Sequence, residues 1–264
     1  QYYIEPWGLE TSFIYMNTTD RLTSGLYATI GDATDKENDL ARQTNAVLLG
    51  HYGWVYKDDI DTFGISLSKE WLGISWGADF VYRNNNALNP GLAESLSAPV
   101  MASEVDPGNY PGPTGDTLHV VMNGFGLLNG DWGLWEGGTY IVEATFSKLD
   151  SYGDFEEKTN PLIHEDRWTS HVGAVFRPTW YQVFAGWDLT LPMSVSYAID
   201  GEQTPNSAGG NEEVGNGSIG AEFLINEVWR VSANYNVYFG PQGNGTSAFI
   251  KDRDNISLTL KRTW

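Results

Sequence analysis

Between Tyr181 and Ile199 an apolar residue recurs at every second position. The odd positions Tyr181, Val183, Ala185, Trp187, Leu189, Leu191, Met193, Val195, Tyr197 and Ile199 are all apolar or aromatic. The even positions, among them Gln182, Gly186, Asp188, Thr190, Ser194 and Ser196, are mostly small or polar. A period of two is the mark of a strand with one apolar face. Strands of soluble domains usually run about 5–6 residues. A barrel strand needs about 9–11 to cross a bilayer and can extend beyond it. The 181–199 segment therefore reads as one long barrel strand.

The same pattern recurs along the chain. Trp229, Val231, Ala233, Tyr235, Val237 and Phe239 alternate with Arg230, Ser232, Asn234, Asn236 and Tyr238. Ile256, Leu258, Leu260 and Trp264 alternate with Asn255, Ser257, Thr259, Lys261 and Thr263. Trp168, Val172, Ala174, Phe176 and Trp180 oppose Thr169, His171, Gly173 and Arg177, and Tyr140, Val142, Ala144 and Phe146 oppose Glu143, Thr145 and Ser147. The segments 63–67, 74–82 and 219–225 behave alike. Strands are expected near 9–16, 45–56, 60–69, 71–83, 116–128, 136–149, 166–180, 181–199, 214–225, 227–240 and 254–264.

Connections alternate in length as well. Lys69-Glu70 and Asn226-Glu227 read as tight turns. The stretches 83–116, 151–167, 200–216 and 240–254 are long and rich in Gly, Pro, Asn and acids. Short turns at one end and long loops at the other characterise outer-membrane barrels. The expected fold is all-β, an antiparallel transmembrane β-barrel of the outer-membrane type with 10–12 strands in a single domain, 1–264. The assignment above counts eleven, whereas single-chain bacterial barrels carry an even number. Either one strand is misplaced or the wall is incomplete.

Two sets of candidate residues follow from the alternation. The polar face holds Glu143, His171, Arg177, Asp188, Glu222, Arg230 and Asn234, expected to line a lumen either as a selectivity lining or as a closed ion-pair network. The aromatics near strand ends, Trp168, Trp180, Tyr181, Tyr197, Trp229, Phe239 and Trp264, are expected at the two membrane interfaces.

Composition narrows the picture. Aromatics make up 14% of the chain, yet mean hydropathy is −0.33 and no apolar run approaches the ~18–20 residues of a transmembrane helix. A formal net charge of −19 argues against nucleic acid as a partner, because phosphate binding needs a basic surface. Acids gather in expected loops, such as Asp32, Asp35, Glu37 and Asp39, and read as a solvated surface or as oxygen ligands for a divalent cation. The absence of Cys removes thiol chemistry and disulfides. The G-x-S-x-G string Gly73-Ile74-Ser75-Trp76-Gly77 and the G-x-G-x-x-G string from Gly215 to Gly220 fall inside the expected strands 71–83 and 214–225, not at a strand-to-helix turn, so neither a nucleophile elbow nor a phosphate-binding glycine loop is read, and no H-E-x-x-H motif occurs. His171 adjoins Ser170, but neighbours on a strand point to opposite faces. The chain reads as neither an enzyme nor a cofactor or metal protein.

The segments "GSIGAEFLINEVWRVSANYNVYFG" and "DRDNISLTLKRTW", with Tyr238-Phe239-Gly240 closing one strand and Asp252-Arg253-Asp254 opening the last, resemble the C-terminal part of the domain-of-unknown-function family 1302. "DDIDTFGISLSKEWLGISWGADFVYRNN" at 58–86 resembles its paired strands around a tight turn. The resemblance covers 50–264. It implies a proteobacterial outer-membrane barrel, with this chain either the C-terminal portion of a longer one or a shortened member, and with Trp264 where the family usually ends in Phe. It implies outer-membrane lipids as surroundings, the outer-membrane assembly machinery as a partner through the C-terminal strand, and a periplasmic lipid-handling partner. The expected function is a channel or transport component for small or hydrophobic molecules. The alternative is a non-conducting structural or docking barrel, and an outer-membrane lipid-modifying hydrolase ranks last.

Overall fold

A computed structural model describes residues 2–20, 25–29, 51–88, 114–130, 133–153, 167–201, 212–241 and 251–263, with the backbone alone for 25–29 and 51–55. The strands are β1 (Tyr2–Ile4), β2 (Leu9–Thr18), β3 (Gly25–Thr29), β4 (His51–Val55), β5 (Ile60–Trp71), β6 (Ile74–Ala87), β7 (Thr114–Leu127), β8 (Gly137–Tyr152), β9 (Trp168–Phe184), β10 (Trp187–Thr190), β11 (Met193–Asp200), β12 (Gly215–Ile225), β13 (Trp229–Phe239) and β14 (Asn255–Arg262). One 3-10 turn, Glu5–Trp7, links β1 to β2. Twelve strands form one antiparallel sheet in the order β1-β2-β5-β6-β7-β8-β9-β10-β12-β13-β14, with β11 also held between β9 and β12. Among the described residues β14 pairs only with β13, so the sheet has two edges.

Three expected boundaries move. The 45–56 segment is not a separate crossing. Its described part, β4, pairs with β3, and the Asp20 N–H donates to the Lys57 carbonyl at 2.7 Å below that pair. The β3–β4 ladder thus resumes the β2–β5 ladder after a break. Residues 45–50 lie outside the described residues. The turn expected at Lys69-Glu70 falls at Leu72-Gly73, because β5 runs on through Trp71, which pairs with Ile74. Both turn residues have positive φ (55° and 74°), the primed geometry whose twist matches a two-residue hairpin and for which Gly73 is suited.

The third change is the largest. The segment 181–199 is not one strand: β9 continues to Phe184, turns at Ala185-Gly186, and returns as β10. A bulge with Gln182 at φ 50° shifts the register between Trp187/Phe184 and Leu189/Trp180. The returning crossing is then interrupted at Pro192, which has no N–H to give to the ladder. Its neighbours bridge the gap: the Leu191 N–H donates to the Pro178 carbonyl and the Gly220 N–H to the Pro192 carbonyl. With β10 and β11 in line, and β1 a three-residue stub, the described residues make ten full crossings. Among the described residues the count falls from eleven to ten because the described part of 45–56, a strand as expected, pairs with β3 rather than making a further crossing.

Register assigns the faces. Pairing leads through Thr11, Leu67, Ala78, Met122, Ala144, Val172, Tyr197, Gly215 and Phe239, one residue from each of nine successive crossings. The adjacent row reads Glu10, Ser68, Gly77, Asn123, Glu143, Gly173, Ser196, Asn216 and Tyr238. Apart from Tyr181, Val183 and Ala185, which precede the turn into β10, the apolar sets found by alternation therefore reach the same side of the sheet, since a one-residue slip at any ladder would have inverted it.

The apolar side is open. Phe13 is 65% exposed, Ile219 56% and Leu258 80%. Among the described residues the buried apolar ones are Ile60, Leu88, Leu149, Ala198 and Val214, all near the ends of strands that lead into the long loops. Those loops lie at one end, between β6 and β7, β8 and β9, β11 and β12, and β13 and β14, while the turns at 72–73, 185–186 and 226–228 lie at the other.

Candidate functional site

Glu143, His171, Arg177, Asp188, Glu222, Arg230 and Asn234 all share the polar face by register. They do not form one cluster. Three of them meet near the short-turn end, on β9, β12 and β13. Glu222 Oε1 accepts Arg230 Nη1 at 2.9 Å and lies 3.6 Å from Arg177 Nη2. The glutamate side chain is 17% exposed, whereas the two arginines are 42% and 46% exposed. Arg177 stands where the ladder is broken opposite Pro192, and from there its guanidinium leans across to β12. Lys261 on β14 is the register partner of Arg230 and lies on the same face. Sequence reading placed it on the polar side without singling it out, because nothing in the alternation shows which residue lies beside it.

Asp188 has a structural task. Its carboxylate accepts the Gln182 N–H at 2.8 Å, and Glu136 accepts the Tyr181 N–H at 2.6 Å. These two acids satisfy the backbone donors that the β9 bulge takes out of the ladder. Asn234 lies over Gly220, where a Cβ would collide with its amide, and Asn123 lies over Gly77 in the same way, 2.8 Å from the position of a Cβ. His171 stands across from Thr145 and Ala198, its Nε2 buried and without a hydrogen-bond partner among the described residues.

A second histidine, His119 on β7, is tied on both ring nitrogens: Nδ1 to Ser147 Oγ at 2.8 Å and Nε2 to Thr117 Oγ1 at 2.9 Å. The three residues come together only through the β7–β8 register, which sequence spacing could not show. Two hydroxyls satisfy a neutral imidazole completely, and no carboxylate orients the ring. The Ser66 hydroxyl donates to Asp79, a further polar-face pair.

The aromatics fall into two bands. At the short-turn end Trp180 Nε1 donates to the Leu134 carbonyl at 3.0 Å and the Arg262 guanidinium sits 5.2 Å above the Trp229 ring, whereas Tyr181 lies over Gly137, the partner of Thr179, and so on the polar face. The sequence did not mark Trp187 as a band residue, yet it packs edge-on against Phe184 and Phe223 there. At the long-loop end Tyr197 and Phe239 meet with centroids 6.0 Å apart over Gly215, and Trp168 packs on Phe146 at 6.1 Å. A Cβ on Gly215 would enter the Phe239 ring. Trp264 lies outside the described residues.

Carboxylates bind the strands together where they leave for the long loops. Asp61 accepts Asn17 Nδ2 at 3.0 Å and the Tyr15 hydroxyl at 2.9 Å, which hold its carboxyl below the ordinary range. Asp116 joins β6, β7 and β8: it accepts Asn84 Nδ2 at 2.7 Å, the Asn85 N–H at 3.0 Å and Ser151 Oγ at 2.7 Å. Burial pushes its carboxyl up, but the bonds from Asn85, Ser151, Tyr82 and Asn84 outweigh burial and hold it below the ordinary carboxylate range.

No curated protein and no solved structure matches the chain. The family model described as "Protein of unknown function (DUF1302)" matches residues 1–264, well beyond the 50–264 over which the resemblance was read, and the chain belongs to that family.

Proposed function

We propose that this chain forms the wall of an outer-membrane β-barrel and serves as a channel or transport component for small or hydrophobic molecules. The observation that carries the reading is the open apolar face, kept on one side through ten crossings by register. A soluble sheet turns such a face into its core. Here, the large side chains of that face stand exposed, and the face that is rich in Ser, Asn, Gly and charges is the one a lumen would use.

Dimensions support it. Trp229 and Phe239 end the same strand, ten positions apart. At ~3.3 Å per residue that is about 33 Å along the strand. With the usual barrel tilt of about 40° the vertical separation is about 25 Å, the height of the apolar band of known barrels. The short turns would then face the periplasm and the long loops the outside.

The buried group Ile60, Leu88, Leu149, Ala198 and Val214 favours a second reading, a non-conducting barrel narrowed at its long-loop end. Conductance separates the two. Purified protein in planar bilayers is expected to give discrete current steps, and silence at all voltages from protein shown to be folded and inserted sinks the channel reading. The hydrolase reading draws only on the His119–Ser147 pair, which lacks an acid and a described oxyanion site.

A further inference from the structure

We propose that Arg177, Arg230 and Lys261 form a binding site for a small soluble oxyanion, a carboxylate or phosphate, on the polar face at the short-turn end. The proposal rests on the channel reading above for its place in the lumen, but the binding itself does not.

The chain carries only 15 Lys and Arg against 34 acids, so a group of three cations runs against its composition. Arg230 and Lys261 are Cα partners on adjacent strands and face the same way. Like charges directly opposite on an antiparallel ladder repel one another. The pair needs a counter-charge, and among the described residues one carboxylate, Glu222, supplies it. Its Oε1 is shared between Arg230 at 2.9 Å and Arg177 at 3.6 Å. Asp188, on the same face, is occupied by the backbone at Gln182. Among the described residues Lys261 bonds to no carboxylate.

The result is an unbalanced group whose carboxylate is withdrawn and whose cations are exposed. Glu222 is 17% exposed and the guanidiniums 42% and 46%. Each guanidinium uses one edge on Glu222 and keeps further N–H donors toward open space, an arrangement suited to a planar or tetrahedral oxyanion. The Thr179 and Thr190 hydroxyls, 3.0 Å apart and in the register row of Glu222, add uncharged donors beside it. The apolar face, which lipid would cover, is on the other side of the sheet. The occupant inferred is therefore a dissolved anion rather than a lipid headgroup.

The test uses the full chain folded in detergent, titrated by calorimetry with succinate and with inorganic phosphate, and in nanodiscs with and without phosphatidylglycerol. At least one soluble anion should bind. Lys261→Gln, which breaks no side-chain bond among the described residues, should weaken binding at least tenfold. Arg230→Gln should do the same, and Arg230→Lys should restore part of it. Glu222→Gln should tighten binding severalfold, because it removes the internal competitor. A Lys69→Gln control, on the apolar side, should change nothing. No binding by the folded wild type, or binding unaltered by Lys261→Gln and Glu222→Gln, overturns the site. So does response to phosphatidylglycerol alone. A parallel reversal-potential measurement keeps the two readings apart. Anion binding without current upholds the site and defeats the channel, while current whose anion-to-cation permeability ratio ignores Lys261→Gln, without anion binding, does the reverse.

Discussion

The two faces of this sheet share one backbone and solve the same steric problem with opposite chemistry. On the apolar face, glycines are roofed by rings: Gly124 by Trp76, 2.9 Å from the position of a Cβ, Gly126 by Tyr140 and Gly215 by Phe239. On the polar face they are roofed by amides, Gly77 by Asn123 and Gly220 by Asn234. In both cases the missing Cβ lets the cross-strand side chain lie flat on the sheet. A flat ring keeps the apolar face smooth, whereas a flat amide leaves hydrogen-bonding groups to the solvent side. The difference teaches that both faces are packed surfaces of the folded protein. On the barrel reading proposed above, the apolar one is the surface that would meet lipid.

Adjacent positions on β14 give the sharpest test. Leu258→Arg on the apolar face should cost about 2–4 kcal/mol of unfolding free energy in lipid vesicles, as expected for a cation at mid-bilayer depth. Ser257→Arg, one residue over on the polar face, should cost under ~0.5 kcal/mol, as surface changes do. Denaturant titration in vesicles measures both, and equal costs would mean that the two faces do not meet different solvents.

The glycine roofs predict a smaller split. Gly126→Ala and Gly220→Ala should each destabilise by roughly 1–3 kcal/mol through overpacking. The three atoms nearest the added Cβ at Gly126 all belong to the Tyr140 side chain, so Tyr140→Ala should rescue it. At Gly220 the Cβ would also sit 2.7 Å from the backbone carbonyl of Ala233, so Asn234→Ala should rescue little. Equal rescue in the two double variants would remove the distinction between a side-chain roof and a backbone wall.

The smallest effect concerns pH. The Asp116 carboxyl is depressed in the folded protein, so its contribution is present above the unfolded carboxylate range and is lost as pH falls through its lower folded value. Asp116→Asn should lower stability at neutral pH by on the order of 1 kcal/mol. It should also flatten the loss of stability on acidification, leaving variant and wild type alike below the carboxylate range. A variant with an unchanged acid limb would remove Asp116 from this role.

Much of this was legible in the residues. Alternation alone sorted Val231, Ala233 and Tyr235 from Ser232 and Asn234, because side chains on a strand point to opposite sides whatever it pairs with. It failed between Tyr181 and Ile199 for an instructive reason. The apolar face of β9 falls on even positions through Trp180, and that of β10 on odd ones. The bulge at Gln182 and the two-residue turn at Ala185-Gly186 lie between them, while Tyr181, Val183 and Ala185 happen to extend the odd series back across the turn. A pattern of period two cannot distinguish a straight strand from that hairpin. Likewise, the polar set contained Arg177, Glu222 and Arg230, and Lys261 fell at a polar position beside Leu260, but 177 and 222 are distant in sequence, and only pairing through β10 and β11 makes them neighbours.

The sequence by itself determined which side of each strand is apolar, that the connections alternate between short and long, and that the chain is built of strands, since these depend on local geometry and composition. The tertiary structure alone decided that all the apolar sides coincide, that one glutamate serves two arginines, that Asp188 is spent on a bulge, and that His119 is closed by two hydroxyls. Each of these depends on strand register, which is set by the sum of many cross-strand contacts between residues far apart in the chain.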